Sequence, residues 1–258
     1  MREFVFFDFE VNSLKHREPI EVSYSINGES YESELFDCEN PLDPGAQAVH
    51  HILKSKLVGK PLFKDSDSFK FMNSIIVMEP STGEKTHTLV AHGLEFDLGI
   101  LQAYLPSREP FHYSKNICTL EVARHYYKII KPSDNAPESH SLQYLRYYFN
   151  LDEKYNLTDI EAHRAESDVI ILFHLFNELY SLYEEAGIED PIEAFIEITR
   201  EAMLPQNFVI RFGKHANKTL SEIYKEDPKY IDWAVGAWTD EDLLKRLLAF
   251  TETLNIPF

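Results

Sequence analysis

The opening stretch constrains the fold more than any other part of the chain. In "EFVFFDFEV", residues 3 to 11, Phe4, Val5, Phe6 and Phe7 make a short apolar and aromatic run, the composition of a strand covered by other structure. The run leads straight into Asp8 and Glu10. Side chains alternate across a strand, so these two carboxylates point to the same side. Side by side at the edge of a core they repel, and their burial is costly unless positive charge lies between them. A chain that keeps them there must supply a cation or bind one.

The segments that follow suit an α/β sheet. "IEVSYSINGESYESELF" alternates apolar and polar residues around Asn27-Gly28, a pair that tolerates the positive φ angles of a tight hairpin, which predicts two further strands. Residues 39 to 61 read as loop and short helix, punctuated by Pro41, Pro44 and Pro61. "SIIVM" and "HTLVAH" read as strands, the second leading into a helix over "LEFDLGILQAYL". "HSLQYLRYYF" and "DVIILFHLFNELYSLYEEAG" are helical by period. Three strands, then strands mixed with helices, predict a mixed sheet flanked by helices. A boundary is expected at "MLPQNF", where Pro205 stops a helical pattern. This divides the chain into a main domain, residues 1–203, and a small α-rich C-terminal module, residues 207–258, expected to dock on it. In the module "FVIRF" reads as a short strand, and Asp227 and Thr239 read as helix caps, with Pro228 at a first helical position.

Composition limits the functions available. Two cysteines, Cys38 and Cys118, lie in no zinc-binding spacing and form no disulfide framework, which fits a reducing compartment. The amino terminus lacks the pattern of a secretory leader, and no stretch approaches the roughly 20 apolar residues of a membrane span. A cytoplasmic location and no membrane partner are expected. The net charge of −18, from 43 acidic and 25 basic residues, argues against a simple electrostatic grip on nucleic acid. Residues 211 to 230 depart from this balance: Arg211, Lys214, Lys218, Lys225 and Lys229 outnumber Glu222, Glu226 and Asp227.

Two more acid-bearing patterns stand at junctions of apolar segments. In "LVAHGLEFDLGIL", Asp97 sits where a strand gives way to a helix; in "AHRAESDVIILF", Asp168 follows His163 by five residues at the start of a long helix. A lone aspartate in a first helical turn is favoured by the helix dipole alone. Three such patterns in one α/β sheet can gather at the carboxyl ends of its strands, where ligand sites lie. Four carboxylates meeting there require divalent cations, and an all-oxygen ligand set suits Mg²⁺ or Mn²⁺. Two such ions, about 3.5–4 Å apart, can clamp the attacking and leaving oxygens of an in-line phosphoryl displacement.

"FDFE", "AHGLEFD" and "HRAESD" resemble the three motifs of the DnaQ-like, DEDDh branch of the 3′–5′ exonucleases, over roughly residues 3 to 180. The strongest element is H-x-A-x-x-D, formed by His163, Ala165 and Asp168, read together with D-x-E. The resemblance implies a ribonuclease H-like fold with Asp8, Glu10, Asp97 and Asp168 as ligands of two Mg²⁺ or Mn²⁺ ions. It makes His163 the general base, a role that suits an imidazole at neutral pH. It implies hydrolysis from the 3′ end of single-stranded nucleic acid, DNA first.

The chain departs from the family where Val11-Asn12-Ser13 replaces a common Thr-Thr-Gly, and where Gly93 replaces a common asparagine. These positions, with Val11 and Asn12, lie near the terminal nucleotide in the family. "AVHHI" resembles the segment whose histidine approaches the nucleotide, which marks His50 as a substrate contact or as a turn cap. Glu95 and Glu166 read as solvated. "FGKHANKTLSEIYKEDPKYIDWA" is similar to a small C-terminal module of exodeoxyribonuclease X-like proteins. Its Lys214, His215 and Lys218 are candidate phosphate contacts. Phe212, Tyr230 and Trp233 are candidate stacking residues, against a reading in which Phe212, Ile231 and Trp233 are the module's core. The alternatives are the same chemistry on RNA ends or short oligonucleotides, and a non-catalytic or proofreading subunit of a polymerase or repair assembly.

Overall fold

In the computed structural model of the chain, which describes residues 3–76, 87–105, 115–133, 135–157, 163–210 and 212–254, the aromatic run of the first strand sets both faces of the sheet. Strand β1 (Glu3–Val11) lies at the centre, between β2 (Pro19–Ile26) and β4 (His87–Ala91), with β3 (Tyr31–Leu35) beside β2 and β5 (Ile117–Cys118) beside β4. The order is β3-β2-β1-β4-β5. The first three strands pair antiparallel, whereas β4 runs parallel to both β1 and β5. This is the mixed sheet of a ribonuclease H-like fold, as expected.

The helices are α1 (Pro44–His50), α2 (Lys54–Leu57), α3 (Asp67–Ile76), α4 (Leu94–Tyr104), α5 (Thr119–His125), α6 (Leu142–Tyr148), α7 (Leu151–Tyr155), α8 (Ala165–Glu185), α9 (Pro191–Ala202), α10 (Leu220–Glu226), α11 (Pro228–Ala237) and α12 (Glu241–Thr253). Chain contacts divide them between two compact units, Met1–Thr199 and Arg200–Phe258.

In the first unit, α8 supplies the floor against which β1 is buried. Phe6 packs edge-on against Phe173 and Phe176, with ring centroids 5.3 Å away in each case, and Phe4 sits 5.6 Å from Phe176. Burying each such ring contributes about 1.5–3 kcal/mol. The odd-numbered face of β1 goes the other way, where Phe9 meets Phe63 at 5.4 Å. Asp8 and Glu10 therefore continue the Phe4–Phe6 face, past the end of its apolar packing.

The β2–β3 hairpin turns as its sequence indicates. Asn27 and Gly28 take φ values of 54° and 77°, the pair of positive angles a tight turn requires. Gly28 has a second reason to be glycine: a Cβ there would lie 2.4 Å from the Phe173 ring.

Several expectations are corrected. Ser74–Ile76 of "SIIVM" end α3, not a strand: Ser68, Met72 and Ile75 are buried at helical spacing, and a short apolar run does not by itself distinguish the two. Val77 and Met78 lie outside the described residues. "FVIRF" forms no strand, only the single bridge Val209–Thr219, with Arg211 outside the described residues. The cap of α12 is Asp240, whose Oδ1 accepts the Leu243 N–H at 3.0 Å, not Thr239. Pro228 does open α11, but Asp227 makes no side-chain cap there.

The second unit has its own core of Ile210, Leu220, Ile223, Ile231, Ala234, Leu247 and Phe250. Ile231 and Ala234 share one face of α11, which turns Trp233 outward. Trp233 is 57% and Phe212 42% exposed, so neither is a core residue. Among the described residues no helix is long and apolar enough to cross a membrane.

Candidate active site

The carboxylates gather where the sheet's parallel half stops. Strand β4 pairs with β1 only as far as Phe6. Beyond that point the Phe9 N–H has lost its strand partner on that side, and Asp97 Oδ1 accepts it at 3.3 Å. A buried backbone donor is thereby satisfied, and Asp97 is tied to the strand that carries Asp8 and Glu10. Asp97 stands in the first turn of α4, which Gly93 launches at φ 94°, a conformation glycine adopts without strain.

Asp168 occupies the equivalent first turn of α8. Its Oδ1 accepts the Gln143 amide N–H at 2.6 Å, and the His163 backbone N–H also points to its carboxylate. Gln143 is itself oriented. Its carbonyl accepts from Arg146 at 3.3 Å, and Arg146, almost fully buried, donates to Asp152 at 2.5 Å. The amide nitrogen of Gln143 is thus the end that faces Asp168.

One oxygen each from Asp8, Glu10 and Asp168 lie within 4.8 Å of one another. Asp97 and His163 line the same open cleft, together with Phe9, Val49, His92, Gly93, Phe96 and the start of α6 at Ser141–Gln143; its volume is about 470 Å³. His163 has φ 59°, in the left-handed region that few non-glycine residues enter. His92 braces the wall between Thr119 Oγ1, 2.9 Å from Nδ1, and the His140 carbonyl, 2.8 Å from Nε2. Burial depresses its pKa to about 4. It is therefore neutral, with Nε2–H donating to the carbonyl.

The electrostatics are those of a site built for cations. Burial, and then the charges of Asp97, Asp168, Glu10 and Glu21, push Asp8 well above the carboxylate range. Burial, then Asp168 and Glu21, raise Glu10 to about 9. Asp97 rises to about 8 and Asp168 to about 7, both through burial. Left alone, the group holds protons at neutral pH. A hard divalent ion among these oxygens would remove the repulsion and leave every carboxylate ionised. The donor set fits Mg²⁺ or Mn²⁺.

Other candidate residues lie elsewhere. Asn12 is fully buried, and its Oδ1 accepts the Glu18 N–H at 3.0 Å, closing the loop after β1. Val11 is buried at the register shift between Glu10 and Val11. His50 is buried, and its Nδ1 accepts the Ile52 N–H at 2.9 Å, the turn-capping role. Among the described residues, none of these three lines the cleft. In the second unit Lys214 pairs with Asp227 at 2.7 Å, Lys218 pairs with Glu226, and the buried His215 faces Asp227 at 3.3 Å.

Two contributors escape the motifs altogether. Gln143 has no motif around it, and its partner is 25 residues away. Glu21 faces Glu10 across the β1–β2 ladder and is only 1% exposed. Its one available signal was an acid among apolar residues in a strand.

The family model for the exodeoxyribonuclease X-like C-terminal region matches residues 210–237. Exodeoxyribonuclease 10 of Escherichia coli K12 is 27% identical over 201 residues, covering 78% of this chain and 74% of the relative. Exonuclease X in complex with 5′ overhanging duplex DNA superposes with a TM-score of 0.51 at 22% identity, covering 77% of this chain and 99% of that one. Escherichia coli exonuclease I in complex with a dT13 oligonucleotide gives 0.56 at 15% identity, over 72% of this chain and 43% of that one. In sequence the chain is thus similar to exodeoxyribonuclease 10, and in fold it is similar to exonucleases X and I: a ribonuclease H-like mixed sheet, with residues 210–237 matching the exodeoxyribonuclease X-like C-terminal family.

Proposed function

We propose that the chain is a metal-dependent 3′–5′ exonuclease of the DEDDh type that shortens single-stranded DNA ends. The observation that carries this reading is the approach of Asp8, Glu10 and Asp168 oxygens to within 4.8 Å of one another, in a cleft also lined by Asp97 and His163. Homology to exodeoxyribonuclease 10 supports a DNA exonuclease, and the structural neighbours include exonucleases bound to DNA.

Asp8, Glu10, Asp97 and Asp168 would hold two Mg²⁺ or Mn²⁺ ions, which would supply positive charge to the phosphodiester under attack. His163 accepts the proton of the attacking water at an imidazole nitrogen. Attack on the terminal phosphodiester breaks the P–O3′ bond, so a nucleoside 5′-monophosphate leaves and the shortened strand keeps its 3′-hydroxyl. Phe96 and Val49 give the cleft apolar surface for the terminal base, a mode of contact that tolerates an acidic protein. The C-terminal module, residues 207–258, is an accessory substrate-binding element, with Phe212 and Trp233 as its exposed aromatics. Lys214 and Lys218 reach phosphate there by exchanging their carboxylate partners.

The test is digestion of matched 5′-labelled DNA and RNA oligonucleotides with Mg²⁺, Mn²⁺ or EDTA, by wild type and Asp8→Ala. A ladder that shortens from the 3′ end, faster on DNA, and is lost in EDTA and in the variant supports the reading. A ladder only on RNA moves the substrate to RNA ends; none on either overturns the activity.

A further inference from the structure

We infer that Arg164 is a positioning residue for the carboxylate centre: it keeps Glu21, a fifth carboxylate, out of the ligand set and anchors the turn that presents His163. The inference rests on the function proposed above and adds two residues to it.

Glu10 and Glu21 are direct partners in the antiparallel β1–β2 register, so their side chains leave the sheet on one face about 5 Å apart. Glu21 is 1% exposed. A carboxylate so buried, next to four others, would either join the ligands or need a cation of its own. Arg164 is that cation. Its Nη2 donates to Glu21 Oε1 at 2.6 Å and its Nε to Oε2 at 3.2 Å. The Ala165 N–H donates to Oε2 at 3.1 Å. Both oxygens of Glu21 are therefore engaged by the residues that open α8.

The same three bonds fix the start of α8. Arg164 is the residue before its first turn and Ala165 the first residue in it. The Arg164 carbonyl accepts the Asp168 N–H at 2.9 Å, and His163, immediately before, sits in the left-handed region. Asp168 and His163 thus both depend on a turn that Glu21 fastens to β2 across 143 residues of sequence. One ion pair sets the charge of the centre and the placement of its histidine.

These two roles give the partners opposite signatures. Arg164→Ala leaves Glu21 uncompensated, so Mn²⁺ binds roughly three- to tenfold tighter while the rate of oligonucleotide shortening falls by about tenfold or more. Glu21→Gln removes one negative charge beside the cluster, so Mn²⁺ binds more weakly by roughly the same factor. Arg164→Lys keeps the charge and loses the two-pronged contact. It restores wild-type Mn²⁺ affinity but not the full rate.

The experiment is Mn²⁺ titration of the full-length proteins by calorimetry, with single-turnover shortening of a labelled oligonucleotide on the same samples. Opposite shifts in affinity for Arg164→Ala and Glu21→Gln establish the role. Equal weakening in both, or a wild-type rate in Arg164→Ala, overturns it, because a pair that only holds the fold together weakens the site from either side. If Arg164→Ala does not fold, Arg164→Lys decides: wild-type Mn²⁺ affinity with a reduced rate supports the role, and weakened affinity or a wild-type rate overturns it. A wild-type protein that neither binds Mn²⁺ nor shortens the oligonucleotide overturns the exonuclease reading itself, and the inference with it.

Discussion

Glu10→Gln should make the protein more stable in EDTA while abolishing its hydrolysis. The cause is the raised pKa of Glu10, about 9 in the fold against an ordinary 4.5. A carboxyl that holds its proton more tightly when folded favours folding at acidic pH. That advantage is lost as pH rises from about 4.5 toward about 9. At pH 7 the gap above 4.5 corresponds to an upper bound of about 3 kcal/mol at about 1.4 kcal/mol per pH unit. Partial solvent contact of the side chain lowers this to about 1–3 kcal/mol. At pH 5 the same reasoning leaves under about 1 kcal/mol. Glutamine is neutral at every pH and nearly isosteric, so the substitution removes the penalty without a cavity. For a unit of this size the melting temperature at pH 7 should rise by roughly 3–10 °C. Thermal melts of wild type and variant in EDTA at pH 5, 7 and 9 measure it, and Mn²⁺ should then stabilise wild type more than the variant. An equal or lower melting temperature for the variant at pH 7, or a difference that does not grow with pH, would refute the reasoning.

Other substitutions probe separate parts of the account. Gly28→Ala puts a methyl group against Phe173 at a backbone position with φ 77°, and should cost about 2–4 kcal/mol by urea denaturation. Because the hairpin lies at the other end of β1 from Asp8 and Glu10, the folded fraction should keep its specific activity. Gln143→Leu removes the 2.6 Å bond to Asp168, and should lower kcat by about 10- to 100-fold with little change in KM. Trp233→Ala, at a side chain 57% exposed, should change stability by no more than about 0.5 kcal/mol. If the second unit binds substrate it should also weaken single-stranded DNA affinity in fluorescence anisotropy, and unchanged affinity would remove that role.

What the sequence made legible were features whose cause is local. Alternation along one strand puts Asp8 and Glu10 on one side, and Asn27-Gly28 names its own turn. Asp97 and Asp168 were marked by the helix starts that carry them. What it hid depends on partners distant in the chain. Glu21 and Arg164 are 143 residues apart and meet only because α8 packs against the sheet. Gln143 looks like any polar residue on α6 until Asp168 arrives beside it. Asn12 and His50 sit within or near motif-like segments, yet Asn12 Oδ1 and His50 Nδ1 each accept a local backbone N–H, which polar residue type alone does not reveal. "SIIVM" was too short for its period to separate helix from strand. For Trp233 the sequence allowed both a core and a stacking reading, and the helical phase set by Ile231 and Ala234 turns it to solvent.

The most direct test of the central claim is a Mn²⁺ titration followed both by binding and by 3′ shortening of a 5′-labelled oligonucleotide, on wild type and Asp168→Asn. Binding and shortening should rise together in wild type, and both should be lost in a variant that remains folded by circular dichroism. Shortening that persists in EDTA, or at the wild-type rate in Asp168→Asn, would contradict that claim.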